Sequence, residues 1–454
     1  MATALGLDFG TTNTVLAFRQ GDGTRSVAFE SAAGPSDSMR TCLSFMKNPA
    51  FGAQALKVEA GAAAIRTFID NPGEVRFLQS IKTFAASALF QGTLIHGRRH
   101  RFEDLMEIFL KRLGHYAGQD IGRTYGKVVA GRPVKFAGSS PDESLALDRY
   151  NEALDRLGFP EIHFVHEPVA AAFYFAQSLK ADATVLVADF GGGTTDYSII
   201  RFETSGGRLT ARPVGHSGVG VAGDNFDFRI IDHVVSPQIG KGGFYKSFDK
   251  VLEVPSNYYA NFGRWNQLSI FKTLKDFQDL KQLVRASLDP ERLELFVDLI
   301  EHDEGYPLYQ AVSAAKMALS QAEEVEFFFP PLGVHSKRVI RRAAFEGWIA
   351  DDLRLMEKAL DDVLAETGTA PAAIDKVFLT GGTSFVPAVR RMFENRFDRD
   401  SIESGGELLS IAHGLALIGE REDILDWTTA PAGADDKTAR ADIVSDPRRT
   451  PPRG

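Results

Sequence analysis

Two glycine- and threonine-rich segments of the chain could bind phosphate groups. The first reads LDFGTTNT at residues 7–14, the second reads ADFGGGTTD at residues 188–196, and each follows an apolar stretch. Backbone N–H groups in glycine-rich turns can form a concave anion site, because no Cβ keeps the anion at a distance. Threonine hydroxyls add further donors. The candidate phosphate ligands are Gly10, Thr11, Thr12, Asn13, Gly191, Gly192, Gly193, Thr194 and Thr195.

An aspartate stands two residues before the first glycine of each turn. Asp8 and Asp189 would repel bound phosphates unless a cation lay between them. Carboxylate and water oxygens are the ligands that Mg²⁺ prefers. The sequence therefore predicts a Mg²⁺ ion held by both aspartates through its waters. A single turn of this type is also typical of an ordinary tight hairpin, whereas two opposed copies favour a binding site.

Other residues could complete such a site, although each also has an ordinary structural explanation. Gly381, Gly382 and Thr383 lie between an apolar strand and a helix, where a nucleoside could rest on the backbone or the chain could simply turn. Glu167 precedes the proline that opens a helix, so it could orient water or metal, or only stabilise the helix dipole. On the sequence alone, Lys82 resembles an ordinary surface lysine.

The elements that carry these residues recur in two halves of the chain, which indicates a duplication. Each half contains an apolar hairpin, an amphipathic helix, a strand that breaks at glycine and a helix of small residues. The corresponding segments are 5–18 and 185–202, 103–115 and 346–366, 127–136 and 376–387, and 168–176 and 411–418. Strands alternating with helices predict an α/β fold whose sheets are covered by helices.

Composition limits the class of protein. The 454 residues are 44% hydrophobic and 24% charged, as in soluble proteins of two or more domains. The net charge of −9 argues against a general nucleic-acid-binding surface, and the apolar segments are too short to span a membrane. Cys42 is the single cysteine, which is consistent with a reducing compartment. We therefore expect a soluble, cytoplasmic protein with neither nucleic acid nor membrane as a partner.

The repeats also predict the domain boundaries. We expect lobe I at residues 1–182 and lobe II at residues 183–427, with a subdomain inserted into lobe II at about 225–310. Residues 428–454 are rich in Pro, Asp and Arg and poor in apolar residues, so we predict a disordered tail.

Four motifs in order resemble the nucleotide-binding domain of the DnaK-type (70-kDa heat-shock) chaperones. They read LDFGTTNT, HEPVAAA, ADFGGGTTD and LTGGTSFVP, and the resemblance extends from about residue 5 to residue 418. It is nearest to the short, YegD-like branch, which lacks a normal peptide-binding domain. The resemblance implies a duplicated actin-like ATPase fold, related to ribonuclease H, with two lobes around a nucleotide cleft. It implies ATP or ADP with Mg²⁺ as ligands.

The resemblance also implies a role for each matching residue. The two turns would bind the phosphates, with Gly223 beside them, and Asp8 and Asp189 would hold the metal. The residues matching the hydrolytic machinery are Lys82, Glu167, Asp189 and Thr194. The residues matching the nucleoside site are Lys316, Ser320, Gly381, Gly382 and Thr383.

The adenine pocket departs from the family pattern. Phe385 occupies the position of an adenine-stacking arginine, and its ring could either stack on the base or pack beneath the following helix. Met317 replaces a basic residue, and Leu408, next to Glu407, replaces a ribose-side acid. These differences affect recognition of the base rather than of the phosphates.

The predicted function is that of an Mg-ATP-binding, slowly hydrolysing chaperone-like protein without a peptide-binding domain. Its nucleotide state would control lobe closure and contacts with a co-chaperone or client protein. An actin-like ATP-dependent filament or scaffold protein is the alternative, since MreB-like proteins share similar motifs. The insertion, Lys82 and the chain length favour the chaperone branch. A small-molecule kinase of the same fold would need a sugar-binding face, for which the sequence offers no clear candidate.

Overall fold

The chain folds into two large mixed sheets, a three-stranded antiparallel sheet, three two-stranded hairpins and packed helices in the part that the structure describes. This computed structural model describes residues 3–429 except 31–33, 49, 51, 53–54, 72, 139, 178, 180, 206–207, 261–270, 272–274, 303 and 405–408. The strands are β1 Ala4–Phe9, β2 Asn13–Gln20, β3 Gly23–Ser26, β4 Met39–Arg40, β5 Cys42–Lys47, β6 Leu56–Ala60, β7 Val75–Gln79, β8 Thr93–Ile95, β9 Arg98–His100, β10 Lys127–Arg132, β11 Ile162–His166, β12 Ala183–Phe190, β13 Thr195–Ser205, β14 Arg208–Val219, β15 Phe244–Ser247, β16 Lys250–Glu253, β17 Glu324–Phe327, β18 Arg338–Arg341, β19 Lys376–Thr380 and β20 Ile402–Ser404. The α/β class predicted from the sequence is confirmed.

Helices connect and cover these strands. The helices are α1 Gly61–Asp70, α2 Phe102–Tyr116, α3 Ile121–Thr124, α4 Glu143–Arg156, α5 Glu167–Ala176, α6 Gly223–Ile230, α7 Asn257–Ala260, α8 Lys275–Ala286, α9 Pro290–Glu301, α10 Gly305–Gln321, α11 Arg342–Trp348, α12 Ala350–Thr367, α13 Pro387–Glu394 and α14 Ser410–Gly419. None of the helices in the described ranges is long and apolar enough to cross a bilayer.

The two large sheets have the same topology. The first runs β3–β2–β1–β10–β11, with β4 added beside β2, and the second runs β14–β13–β12–β19–β20. In each sheet three antiparallel strands are followed by two strands parallel to the central one. The central strands β1 and β12 are almost wholly buried, which explains their near-continuous apolar sequences. The duplication predicted from the sequence is therefore present strand for strand.

Two helices lie between the sheets, and each packs on the sheet of the other half. On α5, which follows the first sheet, Phe175 stacks on Phe378 of the second sheet with ring centroids 4.1 Å apart. On α14, near the other end of the chain, His413 hydrogen-bonds to Thr24 and Ser26 of β3 at 2.6 and 2.9 Å. The predicted boundary at residue 183 would therefore assign α14 to lobe II, although this helix packs on the first sheet.

The crossing of α5 and α14 depends on small side chains. A Cβ at Gly414 would lie 1.7 Å from the carbonyl oxygen of Ala170, so the two backbones touch at this point. This contact accounts for the small-residue pattern that marks both helices in the sequence.

The predicted insertion contains elements of its own. The hairpin β15–β16 and helices α7, α8 and α9 fall within it, whereas residues 261–270 and 272–274 lie outside the described residues. Beyond α14 the chain docks on α5, because Trp427 packs edge-on against Phe173 at 4.9 Å. Thr429 donates its N–H to the Phe164 carbonyl at 2.9 Å, and the rest of the predicted tail, residues 430–454, lies outside the described residues.

Candidate functional site

The two glycine-rich turns face each other across the gap between the large sheets. The first joins β1 to β2 and the second joins β12 to β13, where the Gly191 N–H donates to the Thr194 carbonyl at 2.9 Å. A Cβ added at Gly192 would lie 2.6 Å from the Thr12 hydroxyl oxygen. Because only glycine permits this approach, the opposition of the turns that the repeat suggested exists in the folded chain.

A buried ion pair lies beneath the turns. Lys82, in the 3₁₀ turn Ile81–Phe84, is only 9% exposed, and Glu167, the first residue of α5, is 5% exposed. The Lys82 Nζ lies 2.5 Å from Glu167 Oε1. The expectation from sequence alone that Lys82 is a surface lysine is therefore wrong. Glu167 does begin a helix, but its carboxylate is engaged by a lysine rather than left to solvent.

Three aspartates surround this ion pair. Burial and the nearby Glu167 carboxylate raise the pKa of Asp8 to about 7. Burial, followed by the charges of Glu167, Asp196 and Asp8, raises the pKa of Asp189 well above its usual range. Burial and Glu167 likewise raise the pKa of Asp196 to about 7. These acids repel one another because they share one buried space.

The charge in this space is unbalanced. Burial alone would lower the pKa of Lys82, but the charges of Glu167 and Asp8 act against burial and raise it above the ordinary value. Lys82 therefore stays protonated at neutral pH. If Glu167 and the three aspartates were all ionised, four carboxylates would face this single ammonium group. Such an excess of negative charge favours binding of a further cation.

Asp196 is a residue that the sequence reasoning missed. Its Oδ1 accepts the backbone N–H groups of Val134 and Lys135 at 3.1 and 3.3 Å, which ties the second turn to the segment after β10. The sequence feature that could have identified Asp196 is its position at the end of ADFGGGTTD, directly after the second threonine. Only the fold shows that its side chain joins Asp8 and Asp189.

The carboxylates fit a hydrated cation better than a directly ligated one. No group of three or more His, Cys, Asp and Glu side chains could hold a metal ion by itself within the described ranges. The carboxylates nevertheless crowd together enough to raise one another's pKa values. An ion that keeps most of its waters, as Mg²⁺ usually does, suits this arrangement.

The last threonine of the second turn faces the protein interior. Thr195 is fully buried as the first residue of β13, and its hydroxyl donates to the Val221 carbonyl at 2.7 Å. The neighbouring Thr194 precedes the strand, lies in the turn itself and is only partly buried. A role of the Thr195 side chain in phosphate binding is therefore not supported by the geometry.

Helix α6 begins directly beside the second turn. The Asp224 N–H donates to the Gly192 carbonyl at 2.8 Å, so Gly223 lies next to the turn as expected. The Lys316 Nζ on α10 lies 2.9 Å from Asp227 Oδ1 and donates to the Gly223 carbonyl at 3.1 Å. Burial raises the pKa of Asp227 to about 6, and Lys316 acts against that rise.

The third glycine-rich segment lies beside the second turn. Gly381 has φ of 85°, and a Cβ there would lie 2.0 Å from the Phe190 carbonyl oxygen, so glycine is required. Gly382 begins the 3₁₀ turn Gly382–Phe385, in which Thr383 is buried. A Cβ at Gly223 would lie 2.8 Å from the Thr383 hydroxyl oxygen, which brings this segment against α6.

The side chains that differ from the family pattern are exposed. Phe385 is 56% exposed and Met317 is 68% exposed, so the alternative in which Phe385 packs beneath the following helix is wrong. Among the described residues, the Ser320 hydroxyl makes one long hydrogen bond of 3.4 Å, to the Lys316 carbonyl of its own helix. Residues 407 and 408 lie outside the described residues.

Comparison with known proteins identifies the family. A family model described as Hsp70 protein matches residues 94–244 and 297–422, which together make up more than half of the chain. The chain belongs to the Hsp70 family. The two matched segments contain Glu167, the second turn and the residues of α10 and the 3₁₀ turn at 382–385. The first turn and Lys82 lie before the first matched segment, and residues 245–296 lie between the two.

Curated relatives in the Hsp70 family include bacterial chaperones. The chain is 24% identical over 436 residues to the chaperone protein DnaK of Deinococcus deserti, covering 92% of this chain and 59% of the relative. It is 25% identical over 458 residues to the chaperone protein DnaK of Thermus thermophilus, covering 96% of this chain and 65% of the relative. The chain thus spans about three fifths of the length of these relatives.

Proposed function

We propose that this chain binds ATP with Mg²⁺ between its two halves and hydrolyses it slowly. The observation that carries the proposal is the meeting of two matching turns at Thr12 and Gly192, next to the buried Lys82–Glu167 pair. Members of the Hsp70 family are ATPases of the actin-like fold, which supports the same function here. The two halves would form the two lobes of that fold, with the insertion at about 225–310 on the second lobe.

The turns would hold the phosphate chain from opposite sides. Each presents backbone N–H groups and threonine hydroxyls at the end of a central strand, where donors are fixed before the ligand arrives. The proposed phosphate ligands are Gly10, Thr11, Thr12, Asn13, Gly191, Gly192, Gly193 and Thr194. Phosphoryl transfer depends mainly on such positioning and on neutralisation of charge.

The acidic residues would hold the cation. Asp8, Asp189 and Asp196 share the buried space beside the turns, and their raised pKa values show that their negative charges are poorly compensated. A Mg²⁺ ion bound there would neutralise the phosphate oxygens and favour the ionised carboxylates. Asp8 and Asp189 were expected from the sequence, and we add Asp196 to the proposal because its carboxylate lies close enough to Asp189 to raise its pKa.

The ion pair would act on the attacking water. The Glu167 carboxylate, fixed by Lys82 at 2.5 Å, can accept a hydrogen bond from a water and orient it towards the terminal phosphate. The Lys82 ammonium and the Thr194 hydroxyl would stabilise charge that develops on that phosphate. We expect turnover to be slow, because the carboxylate that would accept the proton from water is already engaged by a lysine.

The nucleoside would lie between α10 and the segment around Gly381. Gly223 brings these elements together, since it lies close to both Lys316 and Thr383. The proposed ligands are Gly223, Lys316, Ser320, Gly381, Gly382, Thr383 and Phe385. The exposed ring of Phe385 is free to stack on the base.

Closure of the two halves around the nucleotide would signal to other proteins. We propose that the chain is chaperone-like, of the YegD-like branch, with a co-chaperone or client protein as its partner. The family match favours this over the filament alternative, which sedimentation with and without ATP would test. Action without a peptide-binding domain and a cytoplasmic location remain predictions from the sequence.

Thermal unfolding tests the central proposal. A ligand that binds only the folded state at 100 times its Kd adds about 2.7 kcal/mol of stability, so saturating Mg-ATP should raise the Tm by several degrees. ATP with a chelator is the control and should raise it less. In a separate assay, ADP should form from ATP without any added sugar acceptor. That result would distinguish an ATPase from a small-molecule kinase. An unchanged Tm at saturating Mg-ATP would refute the proposal.

A further inference from the structure

Arg40 is held beside the first glycine-rich turn by the backbone. It belongs to the two-residue strand β4 and lies opposite Asn13, the first residue of β2. The next residue, Thr41, donates its N–H to the Thr12 carbonyl at 2.9 Å, and its hydroxyl lies 2.8 Å from that of Thr14. Both hydroxyls are fully buried, so the position of Arg40 relative to the turn is fixed.

The side chain of Arg40 lines a cavity that extends from this turn to the second half of the molecule. Thr11 and Thr12 of the turn line it together with Tyr306 and Tyr309 of α10. Burial raises the pKa of Tyr309 well above its ordinary value, and the Arg40 charge opposes the rise. The guanidinium therefore lies within electrostatic range of both halves.

Arg40 differs from Lys82 and Lys316, two cations near the proposed site. Lys82 is paired with Glu167, and Lys316 is paired with Asp227. Arg40 is exposed, and its side chain makes no hydrogen bond or ion pair with any residue that the structure describes. A guanidinium presents five donors in a planar fork that suits phosphate oxygens. An unpaired arginine beside a phosphate-binding turn is therefore placed to meet an anionic ligand.

We propose that Arg40 binds the phosphate chain of the nucleotide from the open side of the first turn. This inference rests on the proposed function, since it concerns the same ligand. Arg40 would then be a phosphate-binding residue that precedes the family-matched segments. The lysine at position 82 would act on the terminal phosphate, whereas Arg40 would contribute to affinity.

A series of shortened ligands tests the inference. A charge-assisted hydrogen bond contributes enough that its loss in Arg40→Gln should weaken ADP and ATP binding about 10- to 100-fold by calorimetry. Adenosine has no phosphate, so its affinity, measured by competition, should not change. Arg40→Lys should restore part of the loss, because lysine keeps the charge but not the fork. Arg25→Gln, an exposed arginine on β3 of the same sheet, is the matched control and should bind like the wild type.

The outcomes separate this inference from the function on which it rests. Wild-type ADP binding together with unchanged ADP affinity in Arg40→Gln would overturn the inference and leave the proposed function in place. An equal loss of adenosine and ADP affinity would also overturn it, since that result indicates a structural change. A wild-type protein that binds no nucleotide would overturn both.

Discussion

Replacing Phe385 with alanine tests the proposal that its ring stacks on the base of a bound nucleotide. The ring is 56% exposed at the end of the 3₁₀ turn Gly382–Phe385, close to the segment that we propose for the nucleoside. It stands where the resemblance to DnaK-type chaperones implies an arginine. An aromatic ring can stack on a purine face but offers no charge to the phosphates. Phe385→Ala should therefore weaken ATP and ADP binding equally.

The expected magnitude follows from the exposure of the ring. Stacking of a base on an aromatic side chain contributes about 1–3 kcal/mol by alanine substitution, which corresponds to roughly 5- to 150-fold in Kd. Full burial of a phenylalanine contributes about 1.5–3 kcal/mol, and a ring that is 56% exposed retains less than half of that. The substitution should therefore cost about 1 kcal/mol of stability or less, far below the roughly 3–5 kcal/mol of a core phenylalanine.

Two measurements on one variant separate base stacking from packing. Calorimetry with ATP, ADP and GTP reports affinity, and urea denaturation reports the free energy of unfolding. GTP affinity should fall by a similar factor, because stacking discriminates weakly between purines. Phe248→Ala, at a fully exposed phenylalanine in the β15–β16 hairpin, is the control and should change neither quantity. Unchanged affinity combined with a large loss of stability would refute the stacking argument.

Three further predictions concern catalysis, pH and peptide binding. Lys82→Ala should lower turnover far more than ATP affinity, and wild-type turnover in this variant would show that another residue has the role. The pKa of Asp8, about 7 when folded against 3.8 ordinarily, means that the folded state retains a proton that the unfolded state releases. The contribution of Asp8 to wild-type stability should therefore fall as the pH rises from about 4 to 7. In urea denaturation without magnesium, Asp8→Asn should gain stability relative to the wild type over this interval. A difference in the free energy of unfolding that stays constant with pH would contradict the reasoning. A labelled unfolded peptide should not bind tightly in fluorescence anisotropy, and tight binding released by ATP would contradict that expectation.

The repeated elements were predictable because their signals are local. Each hairpin carries its own apolar strands and turn glycines, and the small-residue helices carry a pattern that their close crossing requires. Three strands of each large sheet followed from these patterns, namely the two of the hairpin and the strand that ends at glycine, whereas the outer strands β3, β11, β14 and β20 did not. The facing of the turns could be inferred from the repeat, but the contact between Thr12 and Gly192 depends on the packing of the whole chain.

The remaining features depend on contacts between distant residues. Asp196 acquires its place from amide groups more than sixty residues away, at Val134 and Lys135. Thr195 was included with the turn because its composition fits, yet strand alternation turns it inward. In the sequence Lys82 resembles a surface residue, and only the folded chain buries it in an ion pair with Glu167. Arg40 lies on a strand of two residues, which is too short to produce a periodic signal.

Because α5 and α14 each pack on the sheet of the other half, the order of synthesis affects how the chain folds. During synthesis the first sheet can form its hydrogen bonds once β11 has left the ribosome, but one of its faces stays uncovered until α14 emerges some 250 residues later. At the usual rates of about 5–20 residues per second, that interval lasts on the order of tens of seconds. Nascent chains in this interval would expose the surface that receives Ala412 and His413, so we expect them to need protection from aggregation until α14 has been made.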